Sequence, residues 1–189
     1  MARFHQILLI ATFLPLCWLG MMAVHELGHV VAAMSSGGSV SKVVLHPLSI
    51  SRTDLSANPH PLWVAWSGPG MGVLLPLAAL GIFRLAGLRG RYLVRFFAGF
   101  CLVANGAYVG AGSLEGVGDC GEMLRHGSPI WCLWLFGLVT LPLGLFLWHG
   151  LGPNFGLGSR ARPVDRGAAY LSCGLLLLTL ILEFALSPR

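Results

Sequence analysis

The sequence predicts an all-α membrane protein: about five transmembrane helices and a short β segment at the membrane edge. Three observations carry this. Of 189 residues, 56% are hydrophobic and only 10% charged, whereas an average soluble domain is about 25% charged. The mean hydropathy is +0.77. The apolar residues gather into five runs, and a spanning helix needs about 20 mostly apolar residues. Twelve Lys+Arg and seven Asp+Glu cannot cover the surface of a soluble domain of this size. That excludes an ordinary cytosolic domain, a nucleic-acid binder and a disordered chain.

The runs can be placed in order. The first spans about Phe4 to Met34, the second Pro61 to Phe83 and the third Tyr92 to Ser113. The fourth spans about Ile130 to Gly150 and the fifth Gly167 to Leu186. The first run, with Met1–Gln6 as a charged start and Ile7–Gly20 as an apolar core, also fits a secretory signal peptide. Its helix-compatible pattern, however, continues unbroken through Met21–Met34. The polar residues fall between the runs, with no internal repeat and no linker, so residues 1–189 read as one integral membrane domain.

The loop Ser35–His60 differs from the others. Ser39–Leu45 and Leu48–Thr53 are rich in β-branched residues and partly alternate, with Pro47 between them and Gly37-Gly38 before them. This predicts two short strands, a hairpin at the membrane edge.

Positive charge is unequal between the two sides. The N-terminal side carries Arg3, Arg84, Arg89, Arg91, Arg95, Arg160, Arg162 and Arg166. The other side carries Lys42, Arg52, Arg125 and Arg189. By the positive-inside rule the N-terminal side is cytoplasmic.

The chemistry-bearing motif is His25-Glu26-Leu27-Gly28-His29, an HExxH inside the first run. Residues four apart share a helix face, so both imidazoles can bind one ion. Glu26 follows the first and can reach a metal-bound water as general base. Zinc suits two imidazoles, and a catalytic zinc site holds three protein ligands plus water. Ionisable residues inside a spanning helix are costly and mark function. Here there are three within five residues.

A third ligand is expected from the polar segment Leu114–Pro129, which offers Glu115, Asp119, Cys120, Glu122 and His126. Asp119 stands among glycines at the start of a short predicted helix, where a carboxylate is favoured. Asp119 is the first choice, with Glu115 and Glu122 as alternatives and Cys120 as a weaker one. Cys17, Cys101, Cys132 and Cys173 lie in apolar runs, where a thiol acts as a small hydrophobe. There is no CxxC pair and no disulfide framework.

Taken together, HELGH in a membrane helix, the Gly68-Pro69 pair in the next run and the Asp119 segment after the third resemble the site-2 protease family. These are the intramembrane zinc metalloproteases of peptidase family M50, and the pattern is nearest their short, divergent branch. The resemblance covers about Met22–Leu124. It implies a three-helix metalloprotease core (about 4–128), followed by two additional transmembrane helices (130–187). It implies one Zn2+ per chain held by His25, His29 and Asp119, with Glu26 as catalytic base. The strand-like loop is similar to the family's membrane-edge β segment, and edge-strand addition is a general way to hold an extended peptide.

The chain departs from the family pattern in two places. Ser67-Gly68-Pro69-Gly70-Met71-Gly72 has the Gly-Pro but lacks the usual Asn. Asn105 is present, but no Pro follows it, and Val117-Gly118-Asp119-Cys120-Gly121 replaces the standard sequence. Asn105, with Gly68 and Pro69, is a candidate for substrate or transition-state contact. Asn105 has a second reading as a helix-packing amide.

The activity implied is zinc-dependent hydrolysis of peptide bonds in a membrane-protein substrate with a transmembrane segment. The setting implied is a multi-pass protein of a bacterial cell membrane, with the lipid bilayer as its other partner and no nucleic acid. The family analogy places the N-terminus outside, opposite to the charge count. Two alternatives remain: a catalytically inactive M50-like scaffold or assembly factor, and a metal transporter.

The remaining polar residues have simpler readings. Gly68, Gly70 and Gly72 let a neighbouring helix approach the HELGH face. His46 and His60 read as solvated loop histidines, or as residues that gate the site or lend a ligand. Trp63, Trp131 and Trp148 read as interfacial belt residues. Glu183, inside the last run, is assigned no function.

Overall fold

In a computed structural model, which describes residues 2–187, five helices are long and apolar enough to cross a membrane. They are α1 (Ala2–Ser35), α2 (Pro61–Leu85), α3 (Arg91–Gly112), α5 (Ile130–Trp148) and α6 (Arg166–Leu186). A short helix α4 (Gly118–Arg125) lies between α3 and α5. A 3-10 turn, Gly152–Phe155, lies between α5 and α6. Arg189, counted above among the charges of one side, is outside the described residues.

α1 has 34 residues, about 51 Å at 1.5 Å per residue, well beyond the ~30 Å hydrocarbon core. The helix is continuous through both the apolar start and the HELGH motif.

The expected hairpin forms between β1 (Ser39–Val44) and β2 (Arg52–Ala57), which pair antiparallel. The second strand starts later than the expected Leu48–Thr53. Pro47 cannot donate to a ladder. The N–H of Ser49 turns back to the carbonyl of His46 at 3.0 Å, which ends the extended run. Pairing resumes where Arg52 and Thr53 meet Val44 and Val43, leaving Leu45–Ser51 as a loop.

α1, α2 and α3 surround the site, and the last two helices brace them. α5 packs along α3 through a seam of small residues. A Cβ at Gly137 would lie 2.9 Å from the Gly106 carbonyl oxygen and 3.0 Å from the Gly110 Cα. At Gly144 it would lie 2.7 Å from the Gly99 carbonyl oxygen. Apolar lipid gives helices no hydrophobic reason to associate, so close backbone approach supplies the contact. α6 packs on α1, with Leu176 and Leu180 against the cluster that holds Leu19, Met21 and Met22. Its start is capped by Asp165, whose side chain accepts from the N–H groups of Gly167 and Ala168.

Packing bears on two of the residue readings. Trp148 does not stand free at the end of α5. It is half-buried, stacked on Phe96 at a centroid distance of 5.2 Å, and its Nε1–H donates to the Phe96 carbonyl at 2.9 Å. Trp63 and Trp131 are exposed. Nor is His46 a solvated histidine: it is buried, with its ring edge-on to Phe184 of α6 at 4.9 Å. The N–H of Leu45 donates to Ser187 Oγ. The end of α6 therefore covers this loop. His60 is exposed at the start of α2.

Candidate metal centre

Three side chains converge from two elements far apart in sequence. His25 and His29 lie one turn apart on α1, with ring centroids 4.9 Å apart. Asp119 arrives from the first turn of α4. Its Oδ2 stands 2.9 Å from His25 Nε2 and 3.3 Å from His29 Nε2. Both imidazoles are buried, and Asp119 is partly buried. Among the described residues this is the group of His, Cys, Asp and Glu able to hold a metal ion, its donor atoms all within 4.8 Å of one another.

The far nitrogens fix the tautomers. Asn105 Nδ2 donates to the Cys101 carbonyl at 2.9 Å, which turns its Oδ1 toward His25 Nδ1, 2.8 Å away. His25 Nδ1 therefore carries a hydrogen. His29 Nδ1 donates to the Val64 carbonyl on α2, also at 2.8 Å. A neutral imidazole with Nδ1–H has its lone pair on Nε2. Two such lone pairs and a carboxylate oxygen then face one another, and no Lys or Arg among the described residues pairs with Asp119 or Glu26.

A metal cation satisfies this arrangement. Ligand atoms about 2.0–2.1 Å from a tetrahedral zinc stand about 3.3 Å apart, close to the two imidazole–carboxylate separations of 2.9 and 3.3 Å. Metal-bound histidines characteristically donate their other N–H to a carbonyl or carboxylate, as both do here. The residues present fit the ion.

α2 lies against the imidazoles because it lacks side chains there. A Cβ at Gly68 would collide with the His29 ring and lie 2.8 Å from His25 Nε2. A Cβ at Gly72 would lie 2.6 Å from Asn105 Nδ2. Gly28, inside the HELGH motif, packs on the Ser67 carbonyl in the same way, leaving no space for a Cβ. Gly70 faces open space, so its expected packing role fails: the two-residue spacing turns it away from the face that Gly68 and Gly72 share.

The remaining candidates divide clearly. Glu26 is buried, and its Oε2 accepts from Thr53 Oγ1 at 2.8 Å. Glu115 is exposed. Glu122 pairs with Arg125 at 2.7 Å and His126 at 3.3 Å. Cys120 is buried, its Sγ directed to the backbone carbonyls of Tyr108 and Val109. Burial, with the charge of Asp119, pushes its thiol up to about 11.

A cavity of about 940 Å³ opens onto this cluster. Its walls include Trp18, Met21 and Met22 of α1, Asn105 and Tyr108 of α3, and the continuous segment Pro47–Thr53. Gly68 and Pro69, expected near substrate, are buried in the helix interface and are not among the lining residues. Asn105 lines the cavity, but both ends of its amide are engaged by His25 and Cys101.

Two contributors were not legible in the sequence, and a third was only partly so. Thr53 reaches Glu26 from the hairpin, and nothing in its local sequence points there. The Val64 carbonyl has no side-chain signature at all. Tyr108, whose Oη accepts the N–H of Asp119 at 3.1 Å, had a usable signal: it follows Asn105 by three positions and so shares its helix face.

No protein-family model, no curated protein and no solved structure matches the chain.

Proposed function

We propose that the protein is an intramembrane zinc-dependent endopeptidase of the site-2 protease type, acting on membrane-protein substrates. One observation carries the reading: His25, His29 and Asp119 converge in the lining of a cavity, which Glu26, on the helix of the two histidines, also lines. Zinc at such a site acts as a Lewis acid on a carbonyl and lowers the pKa of water to about 7.

The chain's own residues supply the rest. Glu26 follows His25 directly, so its carboxylate is placed to take a proton from water and return it to the leaving amine. Thr53 holds one carboxylate oxygen, Oε2. Asn105 and the Val64 carbonyl hold the two imidazoles in one tautomer. The apolar lining residues bring contacts to a substrate segment, while the polar ones admit water that the bilayer would otherwise exclude. A transmembrane substrate hides its peptide bonds in a helix, so it must enter in a locally unwound form.

The test is zinc content of detergent-purified wild type, His25→Ala, Asp119→Ala and Glu26→Gln. It is followed by cleavage of a transmembrane reporter peptide in lipid vesicles. Expected are about one zinc per chain in wild type and in Glu26→Gln, loss in the other two, and cleavage by wild type alone. No zinc in wild type after reconstitution overturns the reading. Zinc retained with no cleavage across a reporter panel favours the inactive scaffold.

A further inference from the structure

Asp119 reaches the cluster on a helix of its own. α4 has eight residues, and its N-cap residue Val117 makes no side-chain cap. The approach passes through Gly116 and Gly118, with φ of +62° and +58°. The first N–H groups of any helix lack partners within it. Here the N–H of Asp119 is taken by Tyr108 Oη, at 3.1 Å.

The same tyrosine touches the other side of the cluster. Its ring stands edge-on to His25, with centroids 5.8 Å apart and planes at 75°. One α3 side chain therefore contacts the imidazole of one candidate ligand and the backbone of another. Cys120 Sγ, next in sequence, lies 3.5 Å from the Tyr108 carbonyl, so the start of α4 meets one turn of α3, while Cys120 and Met123 also pack in a cluster with Ala65 of α2. Gly118 completes the fit, since a Cβ there would stand 2.5 Å from Tyr108 Oη.

We infer that Tyr108 is a positioning residue for the metal site: its hydroxyl docks the start of α4 on α3 and so sets where Asp119 meets His25 and His29. The inference rests on the metal reading of the site and not on peptide hydrolysis. Metal affinity becomes a property of how α4 is seated. Partners behind a ligand typically change metal affinity about 10–100-fold, and Tyr108→Phe, which keeps the ring and removes only the hydroxyl, belongs in that range.

The experiment uses the full chain in detergent. Zinc affinity is measured by competition with a chromophoric chelator, and the ligand set is read from the visible absorption of the cobalt(II)-substituted protein. The variants are Tyr108→Phe, Gly118→Ala and the double. Tyr108→Phe is expected to weaken zinc about tenfold or more and to change the cobalt spectrum while helical content stays unchanged. Gly118→Ala should weaken zinc with Tyr108 intact. The double should cost less than the two singles added together, because both disturb one docking contact, while the strain of a Cβ at the φ of +58° belongs to Gly118→Ala alone. Wild-type affinity and an unaltered cobalt spectrum in Tyr108→Phe would overturn the inference while leaving the metal site standing. Should Tyr108→Phe unfold, unchanged affinity in Gly118→Ala overturns it instead. A wild type that binds neither zinc nor cobalt removes the metal reading, and this inference with it.

Discussion

Thr53 on β2 donates from Oγ1 to Oε2 of Glu26 on α1, across 2.8 Å. The β1–β2 hairpin and the carboxylate beside the first imidazole are thus joined by one hydrogen bond. Any shift of the hairpin moves the group proposed to handle the proton.

That bond also matters for stability, because Glu26 is buried. Leaving a buried acceptor unpaired costs about 1–3 kcal/mol, more if it is charged. Thr53→Val, which keeps the shape and removes the hydroxyl, is expected to lower the melting temperature in detergent. Thr53→Ser is expected to restore it. Equal melting of Thr53→Val and wild type would show that the bond contributes nothing.

The glycines of α2 differ in their orientation. Gly68→Ala forces a methyl against the His29 and His25 rings and should abolish zinc retention. Gly70→Ala meets nothing within 4 Å and should retain wild-type zinc. Elemental analysis of the two purified variants decides the point, and zinc retention in Gly68→Ala would contradict this geometry.

Asn105 acts through His25, with Oδ1 on the ring nitrogen opposite the cluster. Asn105→Leu should reduce zinc affinity by about 10–100-fold. Asn105→Asp keeps an acceptor at that place and should lose less. Chelator competition orders the three proteins, and an Asn105→Leu variant that binds like wild type would remove Asn105 from the site.

The α3–α5 seam depends on glycine. Gly137→Val places side-chain atoms where the Gly106 carbonyl and the Gly110 Cα already lie, and overpacking of this kind costs about 1–3 kcal/mol. Gly174→Val, with nothing within 4 Å of its Cβ direction, is the control. Thermal unfolding should separate them clearly, and matching melting curves would mean that the seam yields freely.

The sequence by itself determined the class of protein and the two imidazoles. Apolar runs near membrane length are a one-dimensional signal, and the four-residue spacing of His25 and His29 needs only helical geometry. The same local logic marked Asp119 among the glycines of its segment, but left Glu115, Glu122 and Cys120 beside it. Only the tertiary structure brought Asp119 within 3.3 Å of both rings and turned Glu122 to Arg125 and Cys120 to the α3 backbone. The start of β2 was misplaced because local β propensity does not fix where a partner strand stands. His46 is covered by the end of α6 and Trp148 by the face of α3, and neither cover is written near them in the chain. What the sequence spells locally, by period and spacing, it determined. The partners of Glu26, His29 and Asp119 come from Thr53, Val64 and Tyr108, each on a different element. Those contacts exist only once the helices have packed.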